Sequence, residues 1–463
     1  MPFRFDFREQ LALARYLAKW ALAAGPLAAV VGSACALFLW LLQLAAETQW
    51  REPRLLYFLP LAGMGIALAY GWIGKVAERG NDLIMDEIHE PGAGVPAQMA
   101  PLILLSTVAT HLFGGSAGRE GTAVQMGGSI ASSFARWLKL NDVDRRTMLV
   151  AGVAAGFGGV FGTPIAGAIF ALEVIAIGRI SHESIVPCLL ASIVGDWSCA
   201  AWGVHHVDYR QVVATPPAID WLLLGKVAIA GIVFGLASLL FAELAHGLKR
   251  VFQRTIPWAV LRPAAGAVLV IALVWLLDTR VYLGLGVTAP SDEPDGASIV
   301  ASFQPGGADP WSWWWKIVFT VVTLSSGFKG GEVTPLFFIG ATLGNALAVL
   351  LDAPVDLFAA LGFVAVFAGA TNTPIACTVM GMELFGAGHA VSLGTACAIA
   401  YLFSGHSGIY LSQRIAVPKI ETPAIEPGTS LRERRASRLR PILPDSPRTV
   451  EVADGDAPPP AAS

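Results

Sequence analysis

The chain has 463 residues, of which 55% are hydrophobic and only 14% charged, with a mean hydropathy of +0.61 and a formal net charge of -3. Soluble domains carry about 25% charged residues, so the composition argues against a soluble protein and for a polytopic membrane protein. The near-neutral charge gives no support to a nucleic-acid partner.

The chain opens with Arg4, Arg8, Arg15 and Lys19 ahead of the first long apolar span, and no small-residue cleavage site follows. Residues 1–16 are expected to be an uncleaved cytoplasmic start. Apolar stretches then run over 20–46, 55–74, 98–113, 122–138, 147–178, 184–203, 218–247, 263–277, 311–325, 334–351, 355–370, 374–386 and 388–404. A spanning helix needs about 20 residues. Several stretches are shorter or interrupted by Gly and Pro, which a bilayer tolerates only where backbone lines a cavity or is buried in protein. The predicted fold is therefore all-α, with broken helices, as in channels and transporters.

Basic residues cluster at the N-terminus, at 136–146 and at 249–262, which places those segments in the cytoplasm by the positive-inside rule. The segment 279–310, with Asp292, Glu293, Asp295 and Asp309, is expected outside. Residues 417–463 hold nine prolines, seven basic and seven acidic residues. They are expected to be a disordered cytoplasmic tail, whose basic run 431–440 reads as a solvated stretch or a contact for anionic lipid. The five cysteines lie in apolar stretches without metal or disulfide spacing and read as packing residues. No cofactor or metal is implied.

Glu120 carries the functional argument. It sits in Gly118-Arg119-Glu120-Gly121-Thr122, between apolar stretches. An acidic residue at mid-membrane costs about 2.5–3.5 kcal/mol on insertion scales and usually faces a pathway or a partner. The glycines bare the backbone where a helix begins, so N–H groups and the helix dipole favour an anion there. Pairing with Arg119 is the plainer alternative. His111 nearby reads as a satisfied buried histidine or a proton shuttle.

The segment recurs. Gly118–Thr122 matches Gly330-Gly331-Glu332-Val333-Thr334 at an offset of 212, and Thr163-Pro164-Ile165-Ala166 with Glu173 matches Thr373-Pro374-Ile375-Ala376 with Glu383 at an offset of 210. Two repeats are expected, over approximately 17–203 and 218–416, with a site at their interface near the bilayer midplane. Thr-Pro suits a helix start, with the N–H groups of the first turn left free for an anion. Glu173 and Glu383 read as ion pairs or helix-end groups, and Asp196 as a cap.

These motifs resemble the CLC family of chloride channels and proton-coupled anion antiporters, over roughly residues 17–416. Gly118–Thr122 resembles the Gly-Arg-Glu-Gly-Pro motif of the gating glutamate. The segment from Phe161 to Glu173 resembles the Asn-Ala-Pro-Leu-Ala-Gly region, and Gly330–Pro335 resembles Gly-Gly-Ile-Phe-Ala-Pro. Three departures matter. Asn81, in Gly80-Asn81-Asp82-Leu83-Ile84, takes the place of the chloride-binding Ser. Val174 stands where chloride antiporters carry an inner proton-transfer Glu, and Glu332-Val333-Thr334 replaces Ile-Phe-Ala. Together they resemble the fluoride-specific bacterial branch.

The resemblance implies a multi-pass inner-membrane protein of bacteria, a homodimer that exports fluoride in exchange for protons and has no enzyme activity. It assigns gating and proton transfer to Glu120 and Glu332. Anion binding falls to Asn81, Gly118, Gly121, Val333, Thr334 and Tyr410. Asn81 as a helix N-cap before Leu83, and Glu332 as a partner of Lys329, are the plainer alternatives. A chloride channel or chloride/proton antiporter is the nearest rival. An intramembrane enzyme lacks any supporting motif.

Overall fold

The computed structural model describes residues 7–439 apart from 211, 214–219, 289–292, 294–295 and 422–424. Arg4, Asp292, Asp295 and the chain beyond 439 lie outside the described residues. The first half holds α1 (Phe7–Arg51), α2 (Leu59–Ile73), α3 (Asn81–His89), α4 (Met99–Leu112), α5 (Glu120–Trp137), α6 (Asp142–Phe161), α7 (Pro164–Glu173) and α8 (Ile185–Ala201). The second holds α9 (Trp221–Thr255), α10 (Leu261–Leu277), α11 (Ser312–Ser326), α12 (Val333–Leu351), α13 (Val355–Thr371), α14 (Pro374–Phe385) and α15 (Ala390–Phe403). α16 (Leu431–Leu439) follows. Two short strands, β1 (Ala176–Ile177) and β2 (Arg414–Ile415), pair in parallel with Ala176 against Arg414. The all-α expectation holds. Residues 7–16 belong to α1 and are not a separate segment.

Helix lengths follow local sequence. α1, at 45 residues, spans about 68 Å, well beyond a hydrocarbon core of about 30 Å. α7 and α14, at 10 and 12 residues, reach only about 15–18 Å, too short to cross such a core. Their starts are set by the same device. Gly162 closes α6 at φ 72° and Pro164 opens α7, while Asn372 closes α13 at φ 60° and Pro374 opens α14. A left-handed residue ends one helix, and a residue with fixed φ begins the next. The single apolar stretch 147–178 is thereby cut into two helices.

The halves run in opposite directions. Lys19 in the first third of α1 binds Asp144 at the start of α6, and Arg146 donates to His89 O. α5 ends on this same basic face, where Arg136 donates to Val95 O. α12 ends on the other face, where Lys226 at the start of α9 donates to Asp352 O. α9 then returns and ends on the basic face with Lys249, Arg250 and Arg254.

Each half packs on glycine. A side chain on Gly127 would collide with Gly152 O across α5 and α6, and one on Gly340 with Gly362 O across α12 and α13. Close backbone approach of this kind replaces the hydrophobic effect as the packing force in lipid. Between the halves lies an aromatic core in which Phe157 stacks with Phe367 at 6.3 Å between ring centroids, and Phe161 packs on Phe337 at 5.4 Å.

The tail departs from expectation over Leu431–Leu439, which forms α16. All nine prolines of 417–463 lie outside this segment. Its start carries a reciprocal cap: Ser430 N donates to Glu433 Oε2 at 2.8 Å, and Glu433 N to Ser430 Oγ at 3.2 Å.

Candidate ion-binding site

α5 and α12 begin head to head. Gly118 N donates to Gly331 O at 2.6 Å and Gly331 N to Gly118 O at 2.8 Å, an antiparallel bridge between the two repeats. Only glycine permits this approach. A Cβ on Gly331 would lie 2.7 Å from Gly121 N, and one on Gly118 would lie 2.8 Å from Pro335 Cδ and 3.0 Å from Thr334 N. Glu120, Gly121, Thr122, Val333 and Thr334 all sit in first turns, whose N–H groups have no intrahelical acceptor. Their dipoles favour negative charge at one spot.

Glu120 fills that spot. The residue is 1% exposed. Its carboxylate accepts from Thr334 N at 3.0 Å and from Thr334 Oγ1, which lies 2.6 Å from both oxygens. Arg119 adds its backbone N at 3.2 Å and Nε at 3.3 Å. The carboxylate of one repeat thus sits on the helix start of the other, as an anion would. Pairing with Arg119 and contact with Thr334 coexist.

Two cavities approach this point from opposite faces. The one on the basic face, about 180 Å³, is lined by Asn81, Asp82, Gln125, Lys249, Glu332 and Tyr410, among others. The other is about 30 Å³ and is lined by Arg119, Glu120, His206, Tyr209, Thr334 and Phe337, among others. The two linings share no residue. The two glutamates therefore divide: Glu120 borders one cavity and Glu332 the other.

On the basic side, Asn81 and Glu332 meet over Gly121. A Cβ there would lie 3.4 Å from Asn81 Nδ2 and 3.6 Å from Glu332 Oε2. Asn81 is the first residue of α3 and does not cap it; that position falls to Gly80, at φ 59°. Asn81 Oδ1 is buried without a hydrogen-bond partner. Glu332 forms no ion pair with Lys329, whose Nζ instead lies 4.2 Å from the centroid of the Tyr70 ring. Val333 and Tyr410 are buried, and Tyr410 lines this cavity from the loop after α15.

The Thr-Pro helix starts do not take part. Glu383 accepts from Ile165 N and Ala166 N at 3.0 and 2.8 Å, and Glu173 accepts from Ile375 N and Ala376 N at 3.1 and 2.8 Å. Each glutamate closes the helix of the opposite repeat, so those N–H groups are not free for an ion. Both are helix-end groups. Asp196 lies inside α8, not at its start, and is no cap. His111 is buried and satisfied, with Nδ1 2.8 Å from Thr107 O and Nε2 3.0 Å from Ala117 O.

Sequence reasoning passed over His206, Tyr209 and Lys316. The first two lie in the connection between the repeats and carry no motif. Lys316 did carry a signal: one cation inside an apolar stretch. It is fully buried, donating to Tyr282 O at 3.1 Å and Gly284 O at 2.8 Å.

The family model for voltage-gated chloride channels matches residues 62–405. The chain belongs to this CLC family. Its members are channels and transporters, not enzymes. The protein is 51% identical to a chloride/fluoride channel protein of Pseudomonas syringae pv. tomato, over 91% of this chain and 92% of that one. It resembles the crystal structure of a CLC-type fluoride/proton antiporter with a TM-score of 0.81 and 33% identity, covering 89% of this chain and 99% of that one. An H(+)/Cl(-) exchange transporter ClcA of Cronobacter sakazakii is 25% identical, over 63% of this chain and 66% of that one. The protein is thus a membrane-embedded CLC anion/proton transporter.

Proposed function

We propose that this CLC protein exports fluoride across a bacterial inner membrane in exchange for protons. The observation that carries the reading is the grip of Thr334 N and Oγ1 on the Glu120 carboxylate. These donors hold the side-chain oxygens of Glu120 and are placed to hold a small anion when the side chain leaves. Protonation removes the charge that the donors and helix starts favour, so Glu120 swings out and an anion takes its place. By linkage, anion entry raises the proton affinity of Glu120. Gly118, Gly121 and Val333 supply the backbone around the ion, and Asn81 offers an amide donor from the basic side. Glu332 borders the cavity on the basic face, where it takes the proton onward in place of the acid missing at Val174.

Fluoride accepts hydrogen bonds strongly, and a hydroxyl, an amide and two N–H ends suit it. The similarity to a chloride/fluoride channel protein and to a fluoride/proton antiporter supports the same ion. The basic face is the cytoplasmic one by the positive-inside rule, which puts the start of α1 and all of α16 inside. Ile165, Ile193, Trp197, Ile375, Val391 and Leu402 on α7, α8, α14 and α15 are exposed apolar residues. They suit a homodimer contact built from matching helices of the two repeats.

The test measures fluoride and chloride efflux from proteoliposomes side by side, with and without a proton ionophore. Fluoride efflux that rises with the ionophore and greatly exceeds chloride efflux is expected. Chloride efflux equal to or faster than fluoride would assign the protein to the chloride branch.

A further inference from the structure

Asn81 and Tyr410 bound the inner vestibule, yet they belong to elements more than 300 residues apart. What joins those elements is Asp82, with α16 laid across the junction. Asp82, next to Asn81, accepts from Ser412 N at Oδ1 (2.9 Å) and from Arg432 Nη2 at Oδ2 (3.0 Å). The same Nη2 donates to Ser412 Oγ at 2.9 Å, two residues beyond Tyr410. The backbone repeats the connection: Arg432 N donates to Leu411 O at 2.9 Å and Leu431 N to Gln413 O at 3.0 Å. Leu431 is buried with Ile177, Ile415 and Ile425. One turn on, Arg435 Nη1 reaches Glu243 of α9 at 2.6 Å, which also accepts from Ser407 Oγ at 3.0 Å.

The loop 407–413 is thus held from two sides. On its core side, buried Gln413 donates to Val174 O at 2.9 Å and Thr371 O at 3.0 Å. On its solvent side, α16 and Asp82 hold it. The Arg432 and Asp82 side chains are 50% and 25% exposed. Pairs this wet add little to global stability. Their geometry is specific all the same, since one guanidinium nitrogen bridges a carboxylate on α3 and a hydroxyl on the Tyr410 loop.

We propose that α16 is a latch across the inner vestibule and that Arg432 is a positioning residue, fixing α3 and the Tyr410 loop relative to each other so that the anion does not slip past without its proton. The transport part rests on the antiport reading above; the structural part does not. With the latch released, Asn81 and Tyr410 separate, and the inner boundary opens while Glu120 is still charged.

The experiment compares wild type, Arg432→Gln and Arg432→Lys with Ser437→Ala, a change on the exposed side of the same helix. Hydrogen exchange of the 411–413 amides reads the latch without any transported ion. Protons moved per anion in proteoliposomes read its consequence. Arg432→Gln is expected to leave the unfolding temperature unchanged, to speed exchange at 411–413 at least ten-fold, and to lower the proton-to-anion ratio at least two-fold. Arg432→Lys is expected to recover part of both effects, and Ser437→Ala to match wild type. Unchanged exchange in Arg432→Gln overturns the latch. Faster exchange with the wild-type ratio overturns the positioning role and leaves α16 as packing. A wild type that carries no fluoride overturns the antiport reading instead, and the latch is then decided by exchange alone.

Discussion

Thr334→Val tests whether one hydroxyl serves two occupants in turn. The substitution keeps the branched shape and removes a donor that lies 2.6 Å from both Glu120 oxygens at a 2% exposed residue. A hydrogen bond to a charged group contributes about 1.5–3 kcal/mol, or roughly 10–150-fold in affinity at about 1.4 kcal/mol per factor of ten. That loss does not appear in full in the wild-type background. Valine weakens the carboxylate and the fluoride alike, and because the two compete, the fluoride Kd should change by only about three-fold or less. With Glu120→Gln the competing charge is gone, and the whole effect, about 10–150-fold, should appear. Titration calorimetry of fluoride into wild type, each single variant and the double variant gives the cycle. Small shifts in both backgrounds would mean that the hydroxyl does not hold the ion. Equally large shifts in both would mean that carboxylate and ion do not share it.

Three other outcomes are expected. Glu120→Gln abolishes proton coupling while anion flux continues; proteoliposomes in which it still drives uphill proton uptake from a fluoride gradient would contradict the swinging-carboxylate mechanism. Glu383→Gln and Glu173→Gln each weaken two backbone caps, about 0.5–2 kcal/mol per helix start. The two should lower thermal stability by similar amounts without altering the fluoride-to-chloride flux ratio, and a changed ratio would place these residues in the ion path. The Glu433 carboxyl is held below the usual carboxylate range, chiefly by the Ser430 backbone N–H. A depressed folded value means that its contribution to α16 is complete above the unfolded value of about 4.3 and lost as pH falls through the lower folded one. Fluorescence transfer between labels on α16 and α9 should therefore report undocking only in strong acid, and undocking near neutral pH would assign the transition to another group.

Much of the site was legible because its signals are local. A carboxylate between glycines at membrane depth, and its repeat 212 residues later, sufficed to bring Glu120 and Thr334 together. Direction was not legible, since inversion of the halves shows only in which face each helix end meets. The reciprocal caps were missed for a related reason. Thr-Pro marks a helix start, but whether its N–H groups meet an ion or a glutamate depends on a partner about 200 residues away. Asn81 has N-cap chemistry, but Gly80 ahead of it takes the position because the turn needs a positive φ. The tail was judged on its prolines, although Ser430-x-x-Glu433 is a local helix-start signal that average composition hides. Lys316 fell to the opposite error: one buried charge was averaged into an apolar stretch.

The exchange of Glu173 and Glu383 between the repeats has a consequence for descent. A polypeptide consisting of one half alone carries a bare helix end and an acid with nothing to close. It becomes self-sufficient only beside a second copy turned upside down, each lending its acid to its neighbour. Fusion of two such copies would make that loan permanent, and every later change to either acid would have to be tolerated by the other half.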